Sequence, residues 1–266
     1  MRNLILKSDS YKMSHASQYP GDAEYVYSYL ESRGGEFEEE VVAGYQALIA
    51  KHLAGVVVTP KFIREAERFA KMHMGGHFNR AGWEYILREH GGRLPIRIKA
   101  VPEGTVMSPH QGIMTVENTD PKVPWLTNYV ETLLMQVWYP ITIASQSRAM
   151  GQTILASLER TGDPSLLPFK LHDFGFRGVT CVEQAEIGGA AHLITFQGTD
   201  TIAAIDHIEE FYNTVPSHEL DPERERFGDG FDMPGFSIPA SEHSTIPSWG
   251  RDHELDACRN MLEQYP

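Results

Sequence analysis

Residues able to do chemistry are concentrated in four short segments of this 266-residue chain. Three of the four follow predicted strands in a region where strands and helices alternate. Because the carboxyl ends of parallel strands carry the catalytic side chains of α/β barrels, we expect these three to meet at one site. The first segment is DSYK at 9–12. The three that follow predicted strands are KLHDFGFRG at 170–178, QGTDT at 197–201 and SEHST at 241–245.

The segment at 170–178 combines aromatic rings, glycines and a cation. Arg177 offers a planar guanidinium that suits phosphate or carboxylate. Phe174, between a strand end and a glycine, can present its ring face to a planar ligand. An alternative stays open, in which Phe174 and Phe176 belong to the core and Arg177 pairs with Asp173.

The later segments offer a histidine and an aspartate. His243 is a candidate general base, nucleophile or metal ligand, or a structural residue. Asp200 is a candidate ligand-binding carboxylate and also a candidate N-cap of the helix that follows it. The spacing of His172 and His192 to His243 lacks the tight pattern of known zinc sites, so we expect no structural zinc.

Composition excludes several classes of partner. The chain has 23 basic and 36 acidic side chains, a net charge of −13, which argues against nucleic acid and anionic membranes. Two cysteines, Cys181 and Cys258, make no disulfide framework and favour a reducing, cytoplasmic location. The apolar run near the start is too short for a signal peptide, and no segment approaches the roughly 18 apolar residues of a membrane span.

Familiar nucleotide and hydrolase motifs are also missing from the sequence. It contains no P-loop, no GxGxxG and no GxSxG. A Walker ATPase, a Rossmann dehydrogenase and an α/β-hydrolase are therefore unsupported.

The first part of the chain mixes helices with β hairpins. Residues 24–31 alternate in polarity as a half-buried strand does. Residues 125–160 predict two helices divided by Pro140, with a buried apolar face and no chemistry assigned to it. Between them, 39–53, 61–74 and 81–89 predict helices, and 94–118 predicts a unit of β hairpins.

The second part alternates strands with helices. Such alternation indicates parallel βα units, and three units are too few for a complete barrel, which takes roughly 200 residues. The acidic segment 213–234 interrupts the pattern and is interpreted as a solvated loop in preference to a partner-binding one. The predicted strands are 169–174, 193–196 and 236–239, and the predicted helices are 181–191, 201–212 and 252–265.

Ordered motifs give the chain a family resemblance. It resembles the nicotinamide phosphoribosyltransferases from about residue 3 onward. The resemblance implies an α/β fold of the type II phosphoribosyltransferases, an incomplete barrel beside a smaller β-rich part, working as a homodimer. Seven motifs carry the resemblance, in the order in which the family shows them. They are DSYKxxHxxQYP at 9–20, KAVPEG at 99–104, TVENTDP at 115–121, WYPITIA at 138–144, and then KLHDFGFRG, GTDT and EHST.

This resemblance also implies a domain division and an activity. Residues 1–160 would form the helical and β-hairpin region with the dimerisation helices, and 161–266 the first part of the barrel. The implied enzyme is a pentosyltransferase of NAD salvage. It joins nicotinamide to 5-phosphoribosyl 1-diphosphate, giving nicotinamide mononucleotide and diphosphate, with Mg²⁺ accompanying the substrate and ATP as a stimulating cosubstrate.

For the pyridine ring, the resemblance assigns three residues. Phe174 would stack on the ring, and Tyr11 of the other subunit would cover the opposite face. Asp200 would accept the amide N–H of nicotinamide, whereas beside nicotinate it would meet a like charge, so nicotinamide is the preferred substrate.

For the anionic groups, the resemblance assigns three more residues. Arg177 would bind phosphate or diphosphate, and Arg33 would reach the same groups from the neighbouring subunit. His243 would be phosphorylated by ATP and would contact the diphosphate.

The sequence departs from the family at its C-terminal end. Family members continue for about as many residues again, with a strand-end acid, an RPDSG segment that holds the ribose and a Gly-rich phosphate loop. The resemblance therefore implies that an open half-barrel exposes apolar surface, and that either another, complementary C-terminal polypeptide completes the enzyme or the chain is a fragment or split form of it. Two alternatives remain open: a nicotinate phosphoribosyltransferase, and a non-catalytic nicotinamide-binding or dimerisation module. The segment 213–234 is longer than its family counterpart.

Overall fold

A computed structural model describes residues 3–212, 227 and 232–266 of the chain. The predicted acidic segment at 213–234 lies almost wholly outside these residues. The strands are β1 Tyr27–Glu31, β2 Glu40–Val41, β3 Ile96–Ala100, β4 Val106–Met107, β5 Gly112–Asn118, β6 His172–Asp173 and β7 Gly198–Thr199. The helices are α1 Tyr45–His52, α2 Pro60–His73, α3 Arg80–Glu89, α4 Leu126–Tyr129, α5 Glu131–Leu134, α6 Trp138–Thr161, α7 Val182–His192, α8 Ile202–Tyr212 and α9 Glu254–Gln264.

The N-terminal sheet is antiparallel, with β5 between β1 and β3. Val116 of β5 lies opposite Ser28 and Ile98, and alternate residues of the central strand are buried, as expected for a sheet with one face on a core. The prediction of a strand at 24–31 is confirmed from Tyr27 onward. The predicted hairpin unit is correct in its strands but not in its pairing, because β4 pairs with β2.

The main core lies between this sheet and helices α2 and α3. Both helices begin at side-chain caps: the Thr59 hydroxyl accepts the N–H of Phe62, and the Asn79 side chain accepts that of Gly82. Trp83 is fully buried, with its ring edge-on to Trp125 at 4.8 Å between centroids. The predicted helices at 61–74 and 81–89 are confirmed.

Two predictions about this part are wrong. Residues 39–53 are not one helix: β-branched Val41 lies in β2, and Gly44, at φ 85°, separates this strand from α1. Pro140 does not divide 125–160, because it lies in the first turn of α6, where a backbone N–H has no partner within the helix. The breaks fall instead at Val130 and at the 3₁₀ turn Met135–Val137.

The second part of the chain contains three parallel extended segments. Strand β6 pairs with β7, and Gly198 forms a parallel bridge to Phe236 on its other side. The parallel arrangement predicted from the alternation is therefore confirmed, but the strand predicted at 193–196 is wrong, because the strand lies further on at Gly198–Thr199. Residues 193–196 are a turn after α7, in which the N–H groups of Thr195 and Phe196 return to the His192 carbonyl.

Helix α6 joins the two parts of the chain. Ser145 accepts the backbone N–H of Val41 in β2 at 2.9 Å, and Ser147 lies 3.1 Å from the ring of His192 in α7. Glu103 makes a further link, because its carboxylate accepts a 2.7 Å bond from the N–H of Gly44 and a 3.0 Å bond from the hydroxyl of α8 residue Tyr212. Nowhere in the described part of the chain is a helix both long and apolar enough to cross a membrane.

Candidate functional site

Asp200 lies at the carboxyl end of β7, where the parallel strands bring three polar side chains together. Its backbone N–H donates to the carbonyl of Asp173 on β6 at 2.9 Å. His172 of β6 places Nε2 2.8 Å from Oδ1 of Asp200. Ser237, one residue past the Phe236 bridge, donates its hydroxyl to the same Oδ1. The carboxylate is thus held from both neighbouring strands.

The electrostatic environment keeps this carboxylate ionised. The pKa of Asp200 lies below its ordinary value of 3.8, chiefly because Ser237 and then His172 donate hydrogen bonds to it, with a smaller contribution from the charge of Arg177. The predicted N-cap role is wrong in detail: α8 begins at Ile202, whose N–H bonds to the backbone carbonyl of Asp200 at 3.0 Å.

The ring of Phe174 stands at a cavity beside the carboxylate site. Its side chain is 53% exposed, and its centroid lies 4.7 Å from that of His172 with the planes at 33°. The cavity, of about 370 Å³, is lined by both of these rings, by Phe176 and by residues of α6 and α7.

This geometry removes the core alternative for the segment 170–178. Phe176 is 43% exposed, so both rings face out of the core. Within the stretch 3–212, no ion pair joins Arg177 to Asp173, whose Oδ1 accepts the N–H of Gly175 at 2.7 Å. Arg177 is exposed and remains available to a ligand.

Tyr11 and Arg33 belong to a second region of the surface. Tyr11 is 56% exposed, and its neighbour Lys12 is buried and paired with Glu131 at 2.7 Å. Glu131 and Arg33 both line a cavity of about 770 Å³ that also borders α6. This second cavity shares no lining residue with the one at Phe174. One copy of the chain therefore brings Phe174, Asp200 and Arg177 together, but not Tyr11 or Arg33 with them.

His243 lies in an exposed turn that follows the third extended segment. Glu242 organises this turn, since its carboxylate accepts the Ser244 hydroxyl at 2.6 Å and its carbonyl accepts the N–H of Thr245 at 3.0 Å. No hydrogen bond connects His243 to Asp200 within the described residues. Its predicted phosphate role stays a prediction.

Among the residues that the model describes, no group of three or more His, Cys, Asp and Glu side chains is arranged to hold a metal ion. Cys181 and Cys258 are free and exposed.

Sequence reasoning missed the part played by Ser237 and weighed His172 only as a metal ligand. A signal for both residues was present, because each lies near the end of a predicted strand beside a residue already singled out. Their common target, Oδ1 of Asp200, could not be seen before the register of β6 and β7 was known.

Comparisons with known proteins agree with the motifs. The model of the nicotinamide phosphoribosyltransferase N-terminal domain matches residues 3–98, and that of the nicotinate phosphoribosyltransferase (NAPRTase) family matches 169–266. A nicotinamide phosphoribosyltransferase of Xanthomonas campestris pv. campestris is 45% identical over 99% of this chain and 53% of its own length. One from Acinetobacter baylyi is 29% identical over 99% of this chain and 52% of its own length. The chain thus spans about half the length of the curated relatives it matches.

A solved structure supports the fold class. The crystal structure of human nicotinic acid phosphoribosyltransferase superposes with a TM-score of 0.52 at 17% identity, over 75% of this chain and 37% of that one. The predicted α/β fold is confirmed by this likeness.

Proposed function

This chain resembles the N-terminal half of the nicotinamide phosphoribosyltransferases, and on that premise we propose that it supplies the nicotinamide-binding part of such an enzyme. The reaction transfers the phosphoribosyl group of 5-phosphoribosyl 1-diphosphate to nicotinamide, giving nicotinamide mononucleotide and diphosphate in NAD salvage. The observation that carries the proposal is that His172 contacts both the exposed ring of Phe174 and the ionised carboxylate of Asp200 at the same strand ends.

In this proposal the chain's residues orient the substrates and do not attack carbon. The ring nitrogen of nicotinamide is the nucleophile, and the anomeric carbon passes through an oxocarbenium-like state as diphosphate leaves with its Mg²⁺. Stacking on Phe174 contributes about 0.5–1.5 kcal/mol, and Asp200 accepts the amide N–H and so fixes the rotation of the ring. Arg177 stabilises negative charge on the phosphate or diphosphate.

Two further residues enter the proposal through a second copy of the chain. Tyr11 and Arg33 are exposed, Arg33 lines a different cavity from Phe174, and Tyr11 is not among the residues that line the cavity at Phe174. A homodimer in which the partner's Tyr11 covers the free face of the ring, and the partner's Arg33 reaches the phosphates, would use both surfaces. We propose this arrangement, with 1–160 as the dimerising region and 161–266 as the barrel part.

Turnover, as proposed, needs a complementary C-terminal polypeptide. The chain spans about half the length of its curated relatives. Large apolar side chains are exposed near the proposed site and on α9, including Ile202 at 77% and Leu262 at 74%. Covering them would remove apolar surface from water, which favours association.

Two finer expectations belong to the same proposal. His243, exposed on its turn, would accept a phosphoryl group from ATP and place negative charge near the diphosphate site. The enzyme would be cytoplasmic, as the free thiols Cys181 and Cys258 suit a reducing compartment.

A binding and mixing experiment tests the proposal. The purified chain is titrated with nicotinamide and with nicotinate, and nicotinamide mononucleotide is assayed with and without the C-terminal half of the Xanthomonas campestris relative. We expect nicotinamide to bind the chain alone and turnover only on mixing. Phe174→Ala should weaken nicotinamide binding about tenfold, whereas Phe176→Ala, a change to the neighbouring exposed ring, should weaken it far less.

Other outcomes of this experiment decide against the proposal. Tighter binding of nicotinate than of nicotinamide would support the related nicotinate enzyme. Nicotinamide binding with no turnover in either sample would support a non-catalytic module. Absence of any binding by the wild-type chain would remove the site itself.

A further inference from the structure

His172 contacts two of the three residues that the proposed site uses for the pyridine ring. Its Nε2 lies 2.8 Å from Oδ1 of Asp200. Its ring centroid lies 4.7 Å from that of Phe174, with the planes only 33° apart. One side chain therefore fixes the amide-binding carboxylate and packs on the stacking ring.

The backbone of β7 holds the histidine in this orientation. A Cβ at Gly198 would come 2.9 Å from Nδ1 of His172, closer than real Cβ contacts allow. The ring thus lies directly against the glycine backbone, and this close approach leaves Nε2 facing Asp200. As Oδ1 is an acceptor, Nε2 carries the proton in this arrangement.

Ser237 completes the arrangement from the opposite strand. Its hydroxyl donates to the same oxygen that His172 contacts. In the described part of the chain no hydrogen bond reaches the other oxygen, Oδ2. The carboxylate thus has one fixed oxygen and one free acceptor.

We propose that His172 and Ser237 are positioning residues that hold Oδ1 of Asp200, leave Oδ2 to accept the carboxamide N–H, and thereby set the preference for nicotinamide over nicotinate. This inference rests on the proposed function of the site. Nicotinate could be accepted only if Asp200 were protonated and donated to the ligand carboxylate, and two donors on Oδ1 oppose that protonation. Removing either donor makes protonation of Asp200 easier and so favours the binding of nicotinate.

Three variants separate the hydrogen bond from the ring. His172→Phe keeps an aromatic ring beside Phe174 but removes the donor, whereas His172→Gln keeps an N–H donor at a similar reach and removes the ring. Ser237→Ala removes the second donor. We expect the nicotinamide-to-nicotinate affinity ratio to fall at least about fivefold in His172→Phe and Ser237→Ala, since bonds to charged groups are the stronger kind, and His172→Gln to stay within about twofold of wild type.

A second readout needs no ligand. In the ¹³C-labelled chain, the NMR titration of the Asp200 carboxyl should move to higher pH in His172→Phe and Ser237→Ala, with folding checked by the dispersed spectrum. An unchanged affinity ratio, or an unchanged titration in both variants, would overturn the inference. If the wild-type chain bound neither ligand, the proposed function would fail, while the carboxyl titration would still decide whether these two residues position Asp200.

Discussion

At the scale of single residues, the proposed chemistry depends most on one carboxylate. Asp200 is ionised and held at Oδ1 by His172, whose ring also packs on the exposed ring of Phe174. Because its pKa lies below 3.8, its charge should not change across the neutral range. The preference between nicotinamide and nicotinate, and the absence of a pH effect on nicotinamide affinity in this range, therefore both test the charge of Asp200.

Asp200→Asn should narrow the preference for nicotinamide over nicotinate. The neutral amide of asparagine no longer repels the carboxylate of nicotinate and offers it a donor, so we expect the ratio of kcat/KM values to fall about tenfold or more. Steady-state assays of the completed enzyme with both substrates measure it. In the wild type, nicotinamide affinity should stay level from pH 8 down to about pH 5, where the carboxylate is still ionised. A ratio equal to that of wild type would argue against the role of Asp200.

The proposed stimulation of the completed enzyme by ATP should be absent from the variant His243→Ala. Without the imidazole no phosphoryl group can be held at this turn, so the rate with ATP should fall to the rate without it. His253→Ala, at an exposed histidine ten residues further along, is the matched control and should retain the stimulation. Equal stimulation in His243→Ala and the control would exclude this role.

At the scale of elements, the junction between β2 and α1 is the most tightly constrained point. Gly44 has φ 85°, and a Cβ there would overlap the ring of Pro140 on α6. Gly44→Ala should lower the free energy of unfolding by about 2–4 kcal/mol, combining backbone strain with a steric clash. Gly55→Ala is the matched control, because Gly55 has φ 77° but nothing within 4 Å of its Cβ. Gly55→Ala should lower the free energy of unfolding, measured by urea denaturation, by about 1 kcal/mol. Equal losses of unfolding free energy in the two variants would refute the steric clash at Gly44.

Helix α8 should make stability depend on pH through its buried histidine. Burial, and then the charge of Lys51, lower the pKa of His207 to about 4. The unfolded chain, with an ordinary pKa of 6.5, binds this proton first as the pH falls, so stability is full above pH 6.5 and is lost toward pH 4. The loss assigned to this group is about 2–3 kcal/mol.

Comparison of two histidine variants tests this dependence. His207→Phe keeps a ring against Phe211, whose centroid lies 4.9 Å from that of His207, and should flatten the fall in unfolding free energy between pH 6.5 and 4. His77→Phe, at an exposed histidine, should keep the wild-type slope. If the two variants gave the same slope, His207 would not be the cause.

Element types were largely predictable from the sequence, whereas the residue partners were not. Apolar periodicity identified α2, α3 and α6 to α9, because burial of one face follows spacing alone. Strand β2 was not predicted, because two residues are too few to show a pattern. The helix break predicted at Pro140 was wrong, because sequence alone does not distinguish a proline in the first turn of a helix from one that ends a helix. The carboxylate and ring of the site were named in advance from motifs. His172 and Ser237 depend on strand register, a long-range property that local sequence does not encode.

At the scale of the whole molecule, Tyr11 lies outside the cavity lined by Phe174, and the proposed homodimer therefore predicts a site shared between subunits. Tyr11→Ala and Phe174→Ala should each weaken nicotinamide binding about tenfold when present in every subunit. Co-expression of the two variants should restore about a quarter of the wild-type sites, because half of the dimers are mixed and each mixed dimer has one intact site. Titration calorimetry gives the number of sites per subunit. No recovery in purified mixed dimers would place Tyr11 in the same subunit as its Phe174, whereas unimpaired binding by the Tyr11→Ala homodimer would place Tyr11 outside the site.

Helix α6 couples the unfolding of the two parts of the chain. Its 24 residues span the proposed boundary at 160, with Ser145 bonded to β2 and Ser147 to α7, while Glu103 ties the start of α1 to the end of α8. Unfolding of either part would break these hydrogen bonds to the other part. We therefore expect thermal unfolding in one calorimetric transition and not two. Nicotinamide held at Asp200 would then raise the melting temperature of the remote antiparallel sheet as much as that of the strands it touches.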